Sequence, residues 1–318
     1  MNVPRLGRPR SLPTHGWLVL CLIFCQLAQA QTHPPRHEIL LLLSGDGRPY
    51  QELALALEAS LGPSERRRLR LRIQEVKHLS APPQGELVIT AGLRALQRAL
   101  EQSDGPPVLA TLIPRSSYRR AIAGSPRNTS ALYIDQPPGR YLQLLKAVLP
   151  NARRVAFMTS PQNAPLERRL RHVAARLGLR LETARIESAK DLPRAIRRLF
   201  PDNDALLALA DPTVYNRYTL KNILLASYRH SLPVIAYSRS FVRAGALAAV
   251  YTTPSQLGLQ LAELLSQWLV DPSELPAPRH PDYFLVEVNR PLAQSLGLSL
   301  PHDAVLMDRL TRFPGEGP

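Results

Sequence analysis

The sequence predicts an α/β protein made of two successive parallel sheets flanked by helices, and three observations carry that expectation. Short apolar runs end in polar or turn-forming residues and lead into segments with helical apolar spacing. This series of strand, polar turn and helix begins near residue 38 and restarts near residue 141. The connections are short, and no insertion is long enough for a third domain. Open parallel sheets bind ligands outside the carboxyl ends of their strands, so the pattern that sets the fold also directs attention to those ends.

In the first series, residues 38–43 form an apolar strand ending at Ser44, Gly45 and Asp46. A helix follows, with Leu53, Leu57 and Leu61 on one side and Gly62 as its stop. Residues 68–76 alternate Leu69, Leu71 and Ile73 with charged residues, the pattern of an outer strand. Residues 86–90 form a third strand ending at Thr90 and Ala91, before a helix carrying Leu93, Leu96 and Leu100. Residues 107–113 form a fourth, reaching Arg115 and Ser116, and residues 131–134 end at Asp135.

The second series opens with a helix over 141–149 and a strand over 154–158 that ends at Thr159 and Ser160. Leu166, Leu170, Val173, Ala174 and Leu177 mark the next helix, with Gly178 after it. A strand over 179–186 and a helix from Ser188 to Leu199 complete the unit. The stretch 205–269 then repeats the grammar. The run 205–210 stops at Asp211 and Pro212, Leu220, Ile223, Leu224 and Ser227 recur at helical spacing, and 233–237 is apolar up to Ser238. Residues 244–249 read as a further strand, and Thr253, Pro254 and Gln256 form a capping box that opens a helix. Residues 302–318 lack clear periodicity and read as a surface tail.

The first thirty residues read as a secretory signal peptide. Arg5, Arg8 and Arg10 precede an apolar run over 16–27, and Ala28, Gln29 and Ala30 form a small-x-small cleavage site. Export to the periplasm with cleavage after Ala30 is the expectation. Both cysteines, Cys21 and Cys25, fall in this segment, so the mature chain has no disulfide, thiol nucleophile or thiolate metal site. Removing three arginines from the formal net charge of +15 leaves +12, spread over helices rather than gathered in a patch. Aromatics make up only 6% of residues with no stacking platform, which argues against a nucleic-acid partner.

No glycine-rich dinucleotide or phosphate loop is present, nor a His-Glu-x-x-His or a Gly-x-Ser-x-Gly motif. The mature histidines are scattered, and no catalytic centre, metal site or cofactor is expected. What stands out instead is a set of strand-end polar groups: Ser44, Asp46, Thr90, Ser116, Asp135, Thr159, Ser160, Asp211, Thr213, Tyr237 and Ser238. Helix starts beside them offer unpaired N–H groups that favour anions. Each could equally cap its own helix. Tyr50, Tyr118, Tyr215 and Tyr237 could present flat apolar faces to a ligand or pack inside a lobe.

From Gly45 to Pro301 the chain resembles the exported substrate-binding proteins of ABC transporters, in the amino-acid-binder-like branch with a type I periplasmic-binding fold. The resemblance rests on the run LLKAVLP over 144–150 with Arg153, Arg154, Val155 and Ala156, on Asp211 to Tyr215, and on Pro233 to Ser238. It continues through Ala244 to Ala248, Thr253 to Gly258, Val288 to Arg290 and Leu296 to Leu298. It implies lobe one over 31–135 and 248–275, lobe two over 136–247 and 276–301, and three crossovers between them. It also implies a non-enzymatic, monomeric protein that traps a small polar, amino-acid-like ligand by hinge closure. Carried over by position, the ligand-binding groups would be Ser44, Gly45, Thr90, Ala91 and Ser116 in lobe one. In lobe two they would be Thr159, Ser160, Asp211, Thr213, Tyr237 and Ser238, with Asp135 and Tyr215 added from the residues themselves. The implied partner is an inner-membrane ABC permease. A ligand sensor or accessory module for a membrane receptor is the alternative reading, and an exported α/β enzyme a minor one. The segment Ser125 to Ser130 departs from the glycine-rich sequence common before the first crossover.

Overall fold

The computed structural model describes residues 36–312. The signal segment expected over 1–30 and the last six residues of the expected tail lie outside the described residues. Two lobes, each a sheet with helices on its faces, make up the described chain, as the sequence led us to expect.

Lobe one begins with β1 (His37–Leu43), whose residues 39–43 are all buried because helices cover both faces of the sheet. Then come α1 (Arg48–Ser60), α2 (Pro63–Arg68), β2 (Leu69–Glu75), β3 (Leu87–Ala91) and α3 (Leu93–Leu100). β4 (Val108–Thr111), α4 (Arg115–Ala121) and β5 (Thr129–Ala131) complete the series. The strand order is β2-β1-β3-β4-β5, all parallel. The alternating β2 takes the edge, where one face can meet water. Residues 131–134, expected as a strand, pair only in part: β5 ends at Ala131, and Leu132 bridges to Arg279.

Lobe two runs through α5 (Pro138–Val148), β6 (Arg154–Thr159), α6 (Ala164–Arg176), β7 (Arg180–Arg185), α7 (Leu192–Leu199) and β8 (Ala205–Leu207). It continues with α8 (Leu220–Arg229), β9 (Val234–Ala236), α9 (Arg239–Ala244) and β10 (Ala248–Tyr251). The chain then makes α10 (Pro254–Trp268), β11 (Leu285–Val288), α11 (Arg290–Ser295) and α12 (Asp303–Thr311). The second sheet has the order β11-β10-β9-β8-β6-β7 and is parallel except for β11, which runs antiparallel to β10.

Three details correct the sequence reading. The strand expected over 244–249 is displaced: α9 occupies Arg239–Ala244 and β10 starts at Ala248. β10 also belongs to the second sheet, between β9 and β11, so the return to lobe one falls after Tyr251 rather than at residue 248. The expected surface tail contains α12, whose Leu306 and Leu310 are fully buried in the core of lobe two. Two leucines four residues apart give one short apolar stripe, enough to dock a helix but too little to announce it.

The helix after the return, α10, packs along α1 in the core of lobe one. Their backbones approach so closely at Gly258 that a Cβ there would lie 2.5 Å from the Leu53 carbonyl and 2.8 Å from the Leu57 nitrogen. Its start is the expected capping box: Gln256 N–H donates to Thr253 Oγ1 at 3.1 Å, and Thr253 N–H donates to Gln256 Oε1 at 3.0 Å.

The three crossovers are tied to one another by buried side chains. Gln136 in the first donates to Thr252 Oγ1 in the second, and the Thr252 hydroxyl donates to the Tyr283 carbonyl in the third at 2.6 Å. Gln136 and Thr252 are 1% and 5% exposed, so this network is shielded from water and its bonds are correspondingly firm.

Candidate functional site

Where the strand ends of the two sheets face each other, a cavity of about 370 Å³ opens. Lobe one supplies Leu112, Pro114, Arg115, Ser116, Ile134 and Asp135, which follow β4 and β5. Lobe two supplies Leu166 and Arg169 from α6, Leu209 and Ala210 after β8, and Tyr237 and Ser238 after β9. The crossover residues Gln136 and Thr252, with Tyr141 and Tyr251, form the remaining wall. Leu112 has φ +50, an unusual backbone state for a leucine, and this kink ends β4 beside the cavity.

The lining is apolar over most of its area, with two guanidinium groups and one carboxyl set into it. Asp135 accepts the Arg115 N–H at 2.7 Å, at the first residue of α4. Burial raises its carboxyl above the ordinary range, against the opposing charges of His280 and Arg169. His280, from the third crossover, donates Nδ1–H to the Asp135 carbonyl at 2.7 Å, and burial pushes its imidazole below the usual 6.5. The phenols stay neutral. Burial raises Tyr141 and Tyr237, and burial together with a bond to Glu287 at 2.9 Å lifts Tyr251 to about 12.

Of the residues singled out from the sequence, Ser116, Asp135, Tyr237 and Ser238 meet in this cavity. Ser44, Gly45, Thr90, Ala91, Thr159, Ser160, Asp211, Thr213 and Tyr215 are not in its lining. Several have structural employment instead. Ser44 Oγ accepts the Ala95 N–H at 2.9 Å, in the first turn of α3. The turn beside it requires Gly92, with φ +87, because a Cβ there would come within 2.7 Å of the Ser44 hydroxyl.

Asp211 differs most from its expected role. It is 4% exposed, and its Oδ2 accepts the Ser160 N–H at 2.7 Å, the Asn163 amide at 2.9 Å and the Thr159 hydroxyl at 3.3 Å. Oδ1 accepts the Thr213 N–H at 3.1 Å. The carboxylate thus ties the end of β6 to the loop after β8 and does not line the cavity. Tyr215 is likewise inside lobe two, its ring 5.8 Å from Phe241, and Tyr118 donates to Thr129 Oγ1 at 3.1 Å within lobe one.

Sequence reasoning missed Arg169, Leu166 as a lining residue, Tyr141, Leu112 and Tyr251. A signal for Arg169 existed. It lies three residues after Leu166 and one before Leu170, on the inward stripe of α6, where a cation has no place in an ordinary core.

An apolar cleft with guanidinium groups in its wall suits a small ligand that has an apolar body and an acidic end. A sequence model of the family described as ABC transporter substrate binding protein matches residues 136–308, more than half of the chain. The chain belongs to this ABC transporter substrate-binding protein family. No curated protein matches it. The substrate-binding protein is similar in fold to a ligand-free, open substrate-binding protein with adhesive properties from Clostridium difficile. The TM-score is 0.65 at 16% identity, over 84% of this chain and 97% of that one. It is also similar to an ABC domain from Streptococcus pneumoniae in complex with L-Trp (TM-score 0.59, 18% identity, 85% and 98% covered). A conserved domain protein from Vibrio cholerae gives the same TM-score of 0.59 at 18% identity, over 86% of this chain and 98% of that one. Among the described residues of the substrate-binding protein, no helix is long and apolar enough to cross a membrane.

Proposed function

We propose that this substrate-binding protein is exported to the periplasm, captures an amino-acid-like ligand between its lobes and delivers it to an inner-membrane ABC permease. The observation that carries this reading is the cleft lining. Leu112, Ile134, Leu166, Leu209, Tyr141 and Tyr237 surround an apolar body, while Arg115 and Arg169 flank the place for a carboxylate. Asp135, rather than Asp211, stands where a ligand ammonium would be held. A cation bound there would favour the ionised carboxylate that burial now disfavours. Hinge closure would exclude water and strengthen each of these interactions. The L-Trp bound by the streptococcal protein belongs to this ligand class, which makes tryptophan a sensible first probe.

The test is a thermal-shift screen of the mature chain against aromatic and branched amino acids, their amides and amines, and sugars. A ligand at about 100 times its Kd stabilises the folded state by roughly 2.7 kcal/mol, a shift of several degrees. Free amino acids with apolar side chains should raise the midpoint, and the corresponding amides should not. Shifts by sugars alone, or by amides as much as acids, would overturn the proposal.

A further inference from the structure

A second cavity, of about 410 Å³, lies under the third crossover. Its walls are the strap Pro276 to Asp282, with Tyr133, Pro137, Arg140 and Arg115 opposite. The two linings share Arg115. Arg115, Arg140 and Arg279 bring three guanidinium groups to this space, joined by His280, against one lining carboxylate, Asp282. That carboxylate is already engaged, accepting Arg279 at 2.7 Å and the Gln260 amide at 2.5 Å. Four lining prolines supply no N–H, which shifts recognition towards the charged side chains.

The cationic groups are held in place. Arg140 lies 4.2 Å over the Phe284 ring and donates to Gln136 and, at 3.2 Å, to the Pro281 carbonyl. Burial lowers its affinity for its proton, a cost that an anion would offset. Arg115 Nε and His280 Nε2 are buried with no hydrogen-bond partner among the described residues. Because His280 Nδ1–H is committed to Asp135, its Nε2 is an acceptor in the neutral ring.

From this set we infer that the strap cavity binds a hydrogen phosphate group, either the free ion or a phosphate monoester. Its oxygens answer the guanidinium groups and its O–H answers the bare imidazole nitrogen, whereas sulfate lacks that proton. Occupancy would draw the strap towards the first turn of α5, and the shared Arg115 would connect it to the cleft. The inference shares Arg115 with the proposed cleft ligand, but phosphate alone enters its test, so either reading can fail without the other.

Calorimetric and thermal-shift titration of the mature chain with sodium phosphate at pH 6.5, against sulfate and chloride of equal ionic strength, decides it. Saturable binding of phosphate is expected, weakened at least tenfold in Arg279→Gln and in Arg140→Gln and unchanged in Arg229→Gln on the surface helix α8. Arg279 is exposed, so its variant should fold even if the Arg140 variant does not. Flotation with phosphatidic acid vesicles, with phosphatidylcholine as control, separates a lipid source from the free ion. Vesicle binding that phosphate competes away and Arg279→Gln removes would assign the lipid headgroup. Equal shifts in sulfate and chloride, or full phosphate affinity in Arg279→Gln, would overturn the inference.

Discussion

Asp211 and Asp135 both lie just beyond strand ends, yet their surroundings give them different work. Asp211 gathers four donors inside lobe two, two of them the backbone N–H groups of Ser160 and Thr213. Asp211→Ala would leave those donors buried and unmet, at about 1–3 kcal/mol for each one that cannot rearrange. We therefore expect Asp211→Ala to lower unfolding stability by about 3 kcal/mol in urea titrations. Affinity should change little wherever the variant remains folded, and a large affinity loss at unchanged stability would contradict this account. Tyr237 stands on the other side of the distinction. Its ring lies 4.8 Å from Phe241 and forms part of the cleft wall. Tyr237→Ala should weaken amino-acid binding about tenfold or more by calorimetry, and Tyr237→Phe should restore most of it, since the ring face makes the contact.

At the scale of elements, the helix pair α1 and α10 and the late helix α12 show what the sequence made legible. Leu53 and Leu57 on α1, and the capping box of α10, could be read because periodicity and cap chemistry act locally. That the two helices meet at Gly258 could not, since close approach depends on what the partner presents. Gly258→Ala should cost about 1–3 kcal/mol, because the added methyl meets backbone atoms that cannot give way. Thermal unfolding would measure it, and a neutral result would mean that α10 can shift freely. In α12 the two buried leucines were hidden among charged residues, and the pairing of β10 with β11 lay in registry between segments distant in sequence. Leu306→Ala should destabilise by about 2–5 kcal/mol, a value out of reach for a residue on a surface tail. The site followed the same rule. Strand ends were visible, so Ser116, Asp135, Tyr237 and Ser238 could be singled out, and these four line the cavity. Which ends converge on one cavity was set by the relative placement of the two sheets, which no local pattern encodes.

Across the whole molecule, the crossovers determine what can move, and two of them meet at the His280 to Asp135 contact. Arg115 and Arg169 also act on this imidazole, so an added proton would place a further positive charge among guanidinium groups with one carboxyl to balance it. Burial holds the folded imidazole below its ordinary 6.5, whereas the unfolded chain takes up a proton near that value. Folding with a depressed pKa contributes stability that is complete above pH 6.5 and declines as pH falls through the folded value. The His280 contribution should therefore lower thermal stability between pH 7 and pH 5, against the buried Asp135 carboxyl, whose raised affinity for a proton acts in the opposite direction. His280→Gln keeps an amide able to donate to the Asp135 carbonyl but takes up no proton, so it should lose distinctly less over the same interval. A lower midpoint at pH 7 from imperfect packing does not affect the comparison, because the slope with pH is the quantity tested. Parallel slopes for the two proteins would show that acid sensitivity arises elsewhere, and that the crossover contact tolerates the charge.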